Sequence, residues 1–124
     1  MAQRGTHQRL IRCGLRECPC ITGFPYEIAR RVDEILERMR PVLSSCQGVR
    51  RCGAAALDLA WTACGRFDAF YEDELKPWDM AAGALLVTEA GGTVSNLDGS
   101  PFDLRWSILA GNKAMHELIG KMIR

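Results

Sequence analysis

The sixteen residues from Pro77 to Gly92, Pro-Trp-Asp-Met-Ala-Ala-Gly-Ala-Leu-Leu-Val-Thr-Glu-Ala-Gly-Gly, constrain this chain more than any other segment. Proline near the start, a run of strong helix formers and a closing Gly-Gly pair predict a helix over Pro77 to Ala90. Its middle is almost wholly apolar, and a helix apolar all round is expected to be buried. Asp79 lies in its first turn, where an unpaired carboxylate would be costly unless a cation or a donor meets it. Asp79 is therefore the first functional candidate, with a helix-capping role and a ligand role both open.

The rest of the chain gives this helix a framework. Ile28, Val32, Ile35, Leu36, Met39, Val42 and Leu43 fall on one helical face, so an amphipathic helix is expected from about Phe24, with Pro25 near its first turn. Gln47 to Arg51 reads as a short connection or strand, and Gly53 to Cys64 as a second helix of Ala, Leu and one Trp, closed by Gly65. Arg66 to Glu72 carries Phe67, Phe70 and Tyr71 and predicts a strand. Further strands are expected at Thr93 to Leu97, before an Asp98-Gly99 turn, and at Trp106 to Ala110, followed by a helix over Asn112 to Ile123. Alternating strands and helices argue an α/β fold, a sheet with helices packed on it. Residues 1–20 lack either periodicity and are read as an unstructured or unrelated leader, leaving 21–124 as the folded unit.

Length and charge narrow the function classes. A chain of 124 residues fits one domain that can bury roughly two thirds of its unfolded surface. Sixteen basic residues nearly balance fifteen acidic ones, and the two are interspersed, so nucleic acid is not expected as a partner. No run reaches the roughly 18 apolar residues of a membrane span. Arg4, Arg9 and Arg12 have no apolar stretch behind them, so no secretory signal is read and a cytoplasmic location is expected. Cys46, Cys52 and Cys64 lie in or beside apolar-periodic segments and are expected in the core as free thiols. Cys13, Cys18 and Cys20 form C-x4-C-x-C, which lacks the paired spacing of a structural zinc site. Asp68, Asp73 and Glu74 are expected at the surface, and His7 and His116 as structural or exposed residues.

Three features converge on one sheet edge. Gly53 followed by Ala54, Ala55 and Ala56 opens a helix whose backbone N–H groups are approachable by an anion or a hydroxyl. Glu72 ends the aromatic strand, and Asp79 starts the next helix. Strand end and helix start face one crevice when the connection is short, which makes a carboxylate-bound cation such as magnesium chemically reasonable.

Taken together, these segments resemble the carboxy-terminal half of the inositol monophosphatase family. Pro77 to Gly92 is similar to that family's second signature, a Trp-Asp followed by small residues, an aliphatic run and Glu-Ala-Gly-Gly. Gly53 to Ala60, Gly65 to Glu72, Asp98 to Asp103 and Ile21 to Tyr26 resemble the family in order and spacing. The resemblance implies the carboxy-terminal subdomain of a layered αβαβα sandwich and a magnesium-dependent, lithium-sensitive phosphomonoesterase, a homodimer at full length, acting on inositol monophosphate or a similar small phosphorylated substrate. It makes Asp79 a metal ligand and Gly53, Ala55, Glu72 and Asp79 substrate contacts. Ala54 departs from the family's usual Ser or Thr. Nothing in the chain resembles the family's first signature, with its Asp-Pro-x-Asp-Gly-Thr run, so the expectation is a truncated chain, catalytically incomplete alone. The alternative is a non-catalytic interaction or dimerisation module derived from the family.

Overall fold

The computed structural model describes residues 19–124. Five strands and four helices follow in the order β1 (Pro19–Thr22), α1 (Val32–Ser45), β2 (Gly48–Arg51), α2 (Ala55–Ala63), β3 (Ala69–Glu72), α3 (Pro77–Glu89), β4 (Thr93–Ser95), β5 (Ile108–Gly111) and α4 (Lys113–Ile123). They form one mixed sheet in the order β2-β1-β3-β5-β4. β1 runs parallel to β2 and β3, whereas β5 is antiparallel to β3 and β4.

The two-residue period of the strands divides the core. Ile21, Phe70, Ile108 and Ala110 point to one face and pack with Leu59 of α2 and with Met80, Ala84 and Val87 of α3. Cys20, Ala69, Tyr71 and Leu109 point to the other and pack with Val42 of α1 and with Met115 and Ile119 of α4. The result is a helix/sheet/helix arrangement, the α/β class expected from the sequence.

Several expectations change. The strand over Arg66 to Glu72 is shorter and begins at Ala69. Pro25 precedes the first helix instead of opening it: a short 3-10 turn at Ile28–Arg30 comes first, and α1 begins at Val32. Pro19 and Cys20, placed in the leader, belong to β1, which lies between β2 and β3. Its four residues are too few to register as a period, and Pro19 stands at the first strand position, where its missing N–H is tolerated. Cys13, Cys18, His7 and the remainder of the expected leader lie outside the described residues.

The cysteine and aspartate expectations also need correction. Cys52 and Cys64 are exposed and Cys46 is half-buried, whereas Cys20 is the buried thiol. Cys52 precedes α2 in an open segment and Cys64 caps its end, so neither reaches the core. Asp68 and Asp73 are buried. The Asp68 N–H donates to Pro19 O at 2.9 Å, tying the loop before β3 to the start of β1. Asp73 accepts from Arg31 Nη1 at 2.9 Å and Nη2 at 2.7 Å, with Arg38 at 3.2 Å, so its charge is paired where it is buried. His116 is half-buried and its Nε2 lies 2.7 Å from Ser95 Oγ, a structural role as expected.

The helix over Pro77–Glu89 forms as predicted, but only one side of it is buried. Met80, Gly83, Ala84 and Val87 face the sheet and α2, while Trp78, Leu85 and Leu86 are exposed. The near absence of polar residues on its outer side therefore reports a surface, not a core. Its end depends on both glycines. Gly91 has φ +90°, a conformation that favours glycine. A Cβ on Gly92 would lie 2.8 Å from Gly111 O and 2.7 Å from Val87 Cγ1.

Candidate active site

The parallel strands β1, β2 and β3 carry their carboxyl ends to one edge of the sheet. There a cleft of about 610 Å³ opens, lined by residues from the β1 exit, the β2–α2 turn, the end of β3 and the start of α3. Such a crevice beyond parallel strand ends is where α/β sheets commonly bind ligands. Gly53, Ala55, Glu72 and Asp79 all line it, so residues picked from three separate segments meet in one place.

Gly53 has φ +85°, which lets the chain turn from β2 into α2. Ala54 is the residue before the first turn of α2, in extended conformation, with no side-chain cap. Its missing hydroxyl leaves the first N–H groups of the helix without a side-chain partner from that position, beside the cleft. The Asp58 N–H takes Ala54 O at 2.9 Å as the helix begins.

Asp79 fulfils the capping expectation: Lys76 N–H donates to its Oδ2 at 2.9 Å, while its own N–H donates to Lys76 O at 2.9 Å. Asp79 also borders the cleft, so capping holds the carboxylate in place there without excluding a ligand role. Glu72 sits against Gly23, where a Cβ would fall 2.1 Å from Glu72 Oε1. Burial, then the negative charges of Asp58, Asp73 and Asp79, push the Glu72 carboxyl up to about 8, opposed by Arg51.

Asp58 is wholly buried one turn into α2, and neither carboxylate oxygen has a hydrogen-bond partner among the described residues. Burial pushes its carboxyl up to about 6, with Arg51 acting in the opposite direction. Arg51 itself lines the cleft and rests over the Phe24 ring at 5.6 Å. With Lys76 and Arg105 it brings positive charge to a cleft that also holds Glu27, Glu72, Glu74 and Asp79.

Sequence reasoning did not single out Gly23, Arg51 or Asp58. Gly23 could have been found only through its partner, because what occupies the space beside it is the carboxyl end of Glu72, far along the chain. Asp58 carried a usable signal: an aspartate at the position after Leu57 sits on the same side of α2 as Ala54 and Ala55, one turn on. Among the described residues, no group of three His, Cys, Asp or Glu side chains is arranged to hold a metal ion. No helix among them is long and apolar enough to cross a membrane.

Parallel strands ending at a glycine turn, a helix N-terminus and two carboxylates meet at one edge of this α/β sheet, and the chain belongs to the inositol monophosphatase family, whose sequence profile matches residues 3–124. It is 42% identical over 125 aligned residues to the inositol-1-monophosphatase of Caulobacter vibrioides, an alignment covering 97% of this chain and 49% of that protein. It is 51% identical over 94 residues to the Nus factor SuhB of Pseudomonas aeruginosa, across 73% of this chain and 35% of that one. The crystal structure of the extragenic suppressor protein suhB from Bartonella henselae superposes with a TM-score of 0.83 at 40% identity, covering 89% of this chain and 43% of that chain. The chain thus spans about half the length, or less, of the relatives it matches.

Proposed function

We propose that residues 21–124 form the substrate-side, carboxy-terminal subdomain of a magnesium-dependent phosphomonoester hydrolase acting on inositol monophosphate or a similar small phosphorylated polyol in the cytoplasm. The observation that carries the reading is the meeting of Gly53, Ala55, Glu72 and Asp79 around one cleft. The similarity to an inositol-1-monophosphatase supports the substrate class.

The chemistry of the donors is compatible with magnesium, which takes oxygen ligands and is commonly held by one or two carboxylates, water and substrate phosphate oxygens. Asp79, fixed by its capping bond, would hold the ion. When bound, magnesium supplies an activated water and a charge that stabilises the leaving oxygen. The remaining tasks fall to the chain's own groups. The N–H groups at the start of α2 receive a phosphate or hydroxyl oxygen, and the Arg51 guanidinium adds positive charge beside them. Glu72, at the end of β3 beside the cleft, hydrogen-bonds a substrate hydroxyl through its carboxyl oxygens.

A pair of shared metal ions needs more carboxylates than Asp79 and Glu72 provide. The 124-residue chain alone is therefore catalytically incomplete in this reading. Purified chain should show negligible magnesium-dependent phosphate release from inositol monophosphate. Adding a polypeptide that carries the family's first signature should restore turnover, and Asp79→Ala in the chain should abolish the restored activity. Robust turnover by the chain alone, lost in Asp79→Ala, would overturn the claim of incompleteness.

A second reading has its own support. Trp78, Leu85 and Leu86 of α3 and Leu57 of α2 are exposed apolar side chains. Such a surface favours a non-catalytic interaction or dimerisation module, with a homodimer as the simplest assembly. Light scattering decides it: a monomer at all accessible concentrations argues against self-association.

A further inference from the structure

One pair of side chains outside the cleft is placed for chemistry of its own. Cys20 Sγ and Cys46 Sγ lie 3.1 Å apart, joining β1 to the end of α1 across 26 residues of sequence. A disulfide has sulfurs about 2.05 Å apart, so about 1 Å of closure separates the dithiol from a bond. Cys20 belongs to β1, hydrogen-bonded on both sides to β2 and β3, and cannot move far. Cys46 follows the last turn of α1 in extended conformation and leads within two residues into β2, so the closure falls to its side chain.

We propose that Cys20 and Cys46 form a reversible thiol–disulfide exchange site, oxidised by a small-molecule disulfide such as glutathione disulfide. Half-buried Cys46 is the attacking thiol and fully buried Cys20 the resolving one. The hydrogen bond from Cys20 holds the Cys46 pKa down, which favours its thiolate. That same bond and burial hold the Cys20 proton in place until Cys46 has reacted.

The exchange balances. The Cys46 thiolate attacks one sulfur of glutathione disulfide, forms a mixed disulfide and expels one glutathione thiolate. With the Cys46 charge gone, Cys20 yields its proton to the expelled thiolate and attacks Cys46 Sγ, expelling the second glutathione. The second glutathione thiolate takes up the proton that Cys46 released to solvent on becoming a thiolate; one S–S bond forms in the protein, one breaks in the oxidant, and two electrons pass to glutathione disulfide, which leaves as two thiols. The new bond would fasten β1, whose exit forms the Gly23 wall of the cleft, to the turn that leads into β2 and Arg51.

The test uses the full chain with Cys18→Ser, because Cys18 lies two residues from Cys20 and would confuse the assignment. The chain is incubated with glutathione disulfide, alkylated under denaturing conditions and mapped without reduction. A Cys20–Cys46 cross-linked peptide is expected, while exposed Cys52 and Cys64 carry glutathione or alkyl label. Oxidation should raise the thermal midpoint by about 10 °C, and Cys46→Ser should erase both the cross-link and the rise. Cys20→Ala should leave Cys46 as a persistent glutathione adduct. A persistent Cys46 adduct in the presence of Cys20, or both thiols still free while Cys52 and Cys64 are glutathionylated, would overturn the proposal.

Discussion

Gly83→Ala is the most demanding test of how this fold holds its cleft together. Gly83 lies one turn after Asp79 on α3, at the contact with α2. A Cβ there would stand 2.4 Å from Leu59 Cβ, 2.6 Å from Cδ1 and 3.0 Å from Cγ. Carbon atoms pack at about 3.5–4.0 Å, so about 1 Å of separation must open between the helices. A rotamer change at Leu59 relieves Cδ1 and Cγ but leaves the Cβ contact, which moves only with the backbone. Overpacking of this kind costs roughly 1–3 kcal/mol, whereas replacing a helical glycine by alanine gains about 1 kcal/mol of propensity. The Cβ contact that no rotamer relieves puts the cost in the upper part of that range, about 2–3 kcal/mol, so the net expectation is a loss of about 1–2 kcal/mol despite the better helix former. Urea unfolding under reducing conditions measures it as a midpoint lowered by about 1 M with an unchanged slope. Ala82→Gly, on the exposed side of the same helix, calibrates the propensity term and should cost about 1 kcal/mol. A Gly83→Ala chain as stable as the parent, or more stable, would refute the close α2–α3 contact.

Three further outcomes follow from the buried charges. The Glu72 carboxyl is raised from 4.5 to about 8, so its favourable contribution is present below pH 4.5 and is lost as pH rises through about 8. Glu72→Gln should remove that fall, leaving the metal-free variant more stable than the parent at about pH 9 by several kcal/mol and nearly equal at about pH 4, as read from urea midpoints. Asp58→Asn removes a buried carboxylate without hydrogen-bond partners; above about pH 6 it should stabilise the chain by about 1–3 kcal/mol and lower the Glu72 titration midpoint followed by carboxyl NMR. Asp73→Ala removes the buried carboxylate between Arg31 and Arg38, which keep Glu34 and, for Arg31, Glu74, and should cost about 1–2 kcal/mol by urea unfolding. Burial raises the Asp73 pKa, but the two arginines more than reverse it, so in the parent this contribution is present near neutrality and is lost as pH falls below the ordinary aspartate range.

What the sequence disclosed and what it withheld divide along a physical line. α3 and α4 were legible because their signals are local. Pro77 and Gly91 bracket α3, and Asn112 caps α4 by accepting from the Met115 N–H at 2.8 Å. β1 was not, because four residues between β2 and β3 are held by partners far along the chain, and Pro19-Cys20-Ile21-Thr22 carries no period of its own. The same reason hid Gly23, which lies against the carboxyl end of Glu72 from a distant segment. Burial misled in both directions. Apolar neighbours suggested that Cys52 and Cys64 were inside, and charge suggested that Asp68 and Asp73 were outside, whereas pairing decides the second: Asp73 is buried because Arg31 and Arg38 reach it from α1 and the residue before it.

The two carboxylates of the cleft carry this distinction furthest. Asp79 was found by position, as the acidic residue of a first helical turn, and its capping bond is local chemistry that the sequence contains. Glu72 was found by position too, but its altered proton affinity belongs to no segment. It needs burial at the end of β3 and the charge of Asp58 on α2, Asp73 in the following loop and Asp79 on α3. Asp58 and Asp73 taken alone drew no functional reading and Asp79 drew one for its own helix position, so their joint action on Glu72 exists only once the fold brings all three to the end of β3.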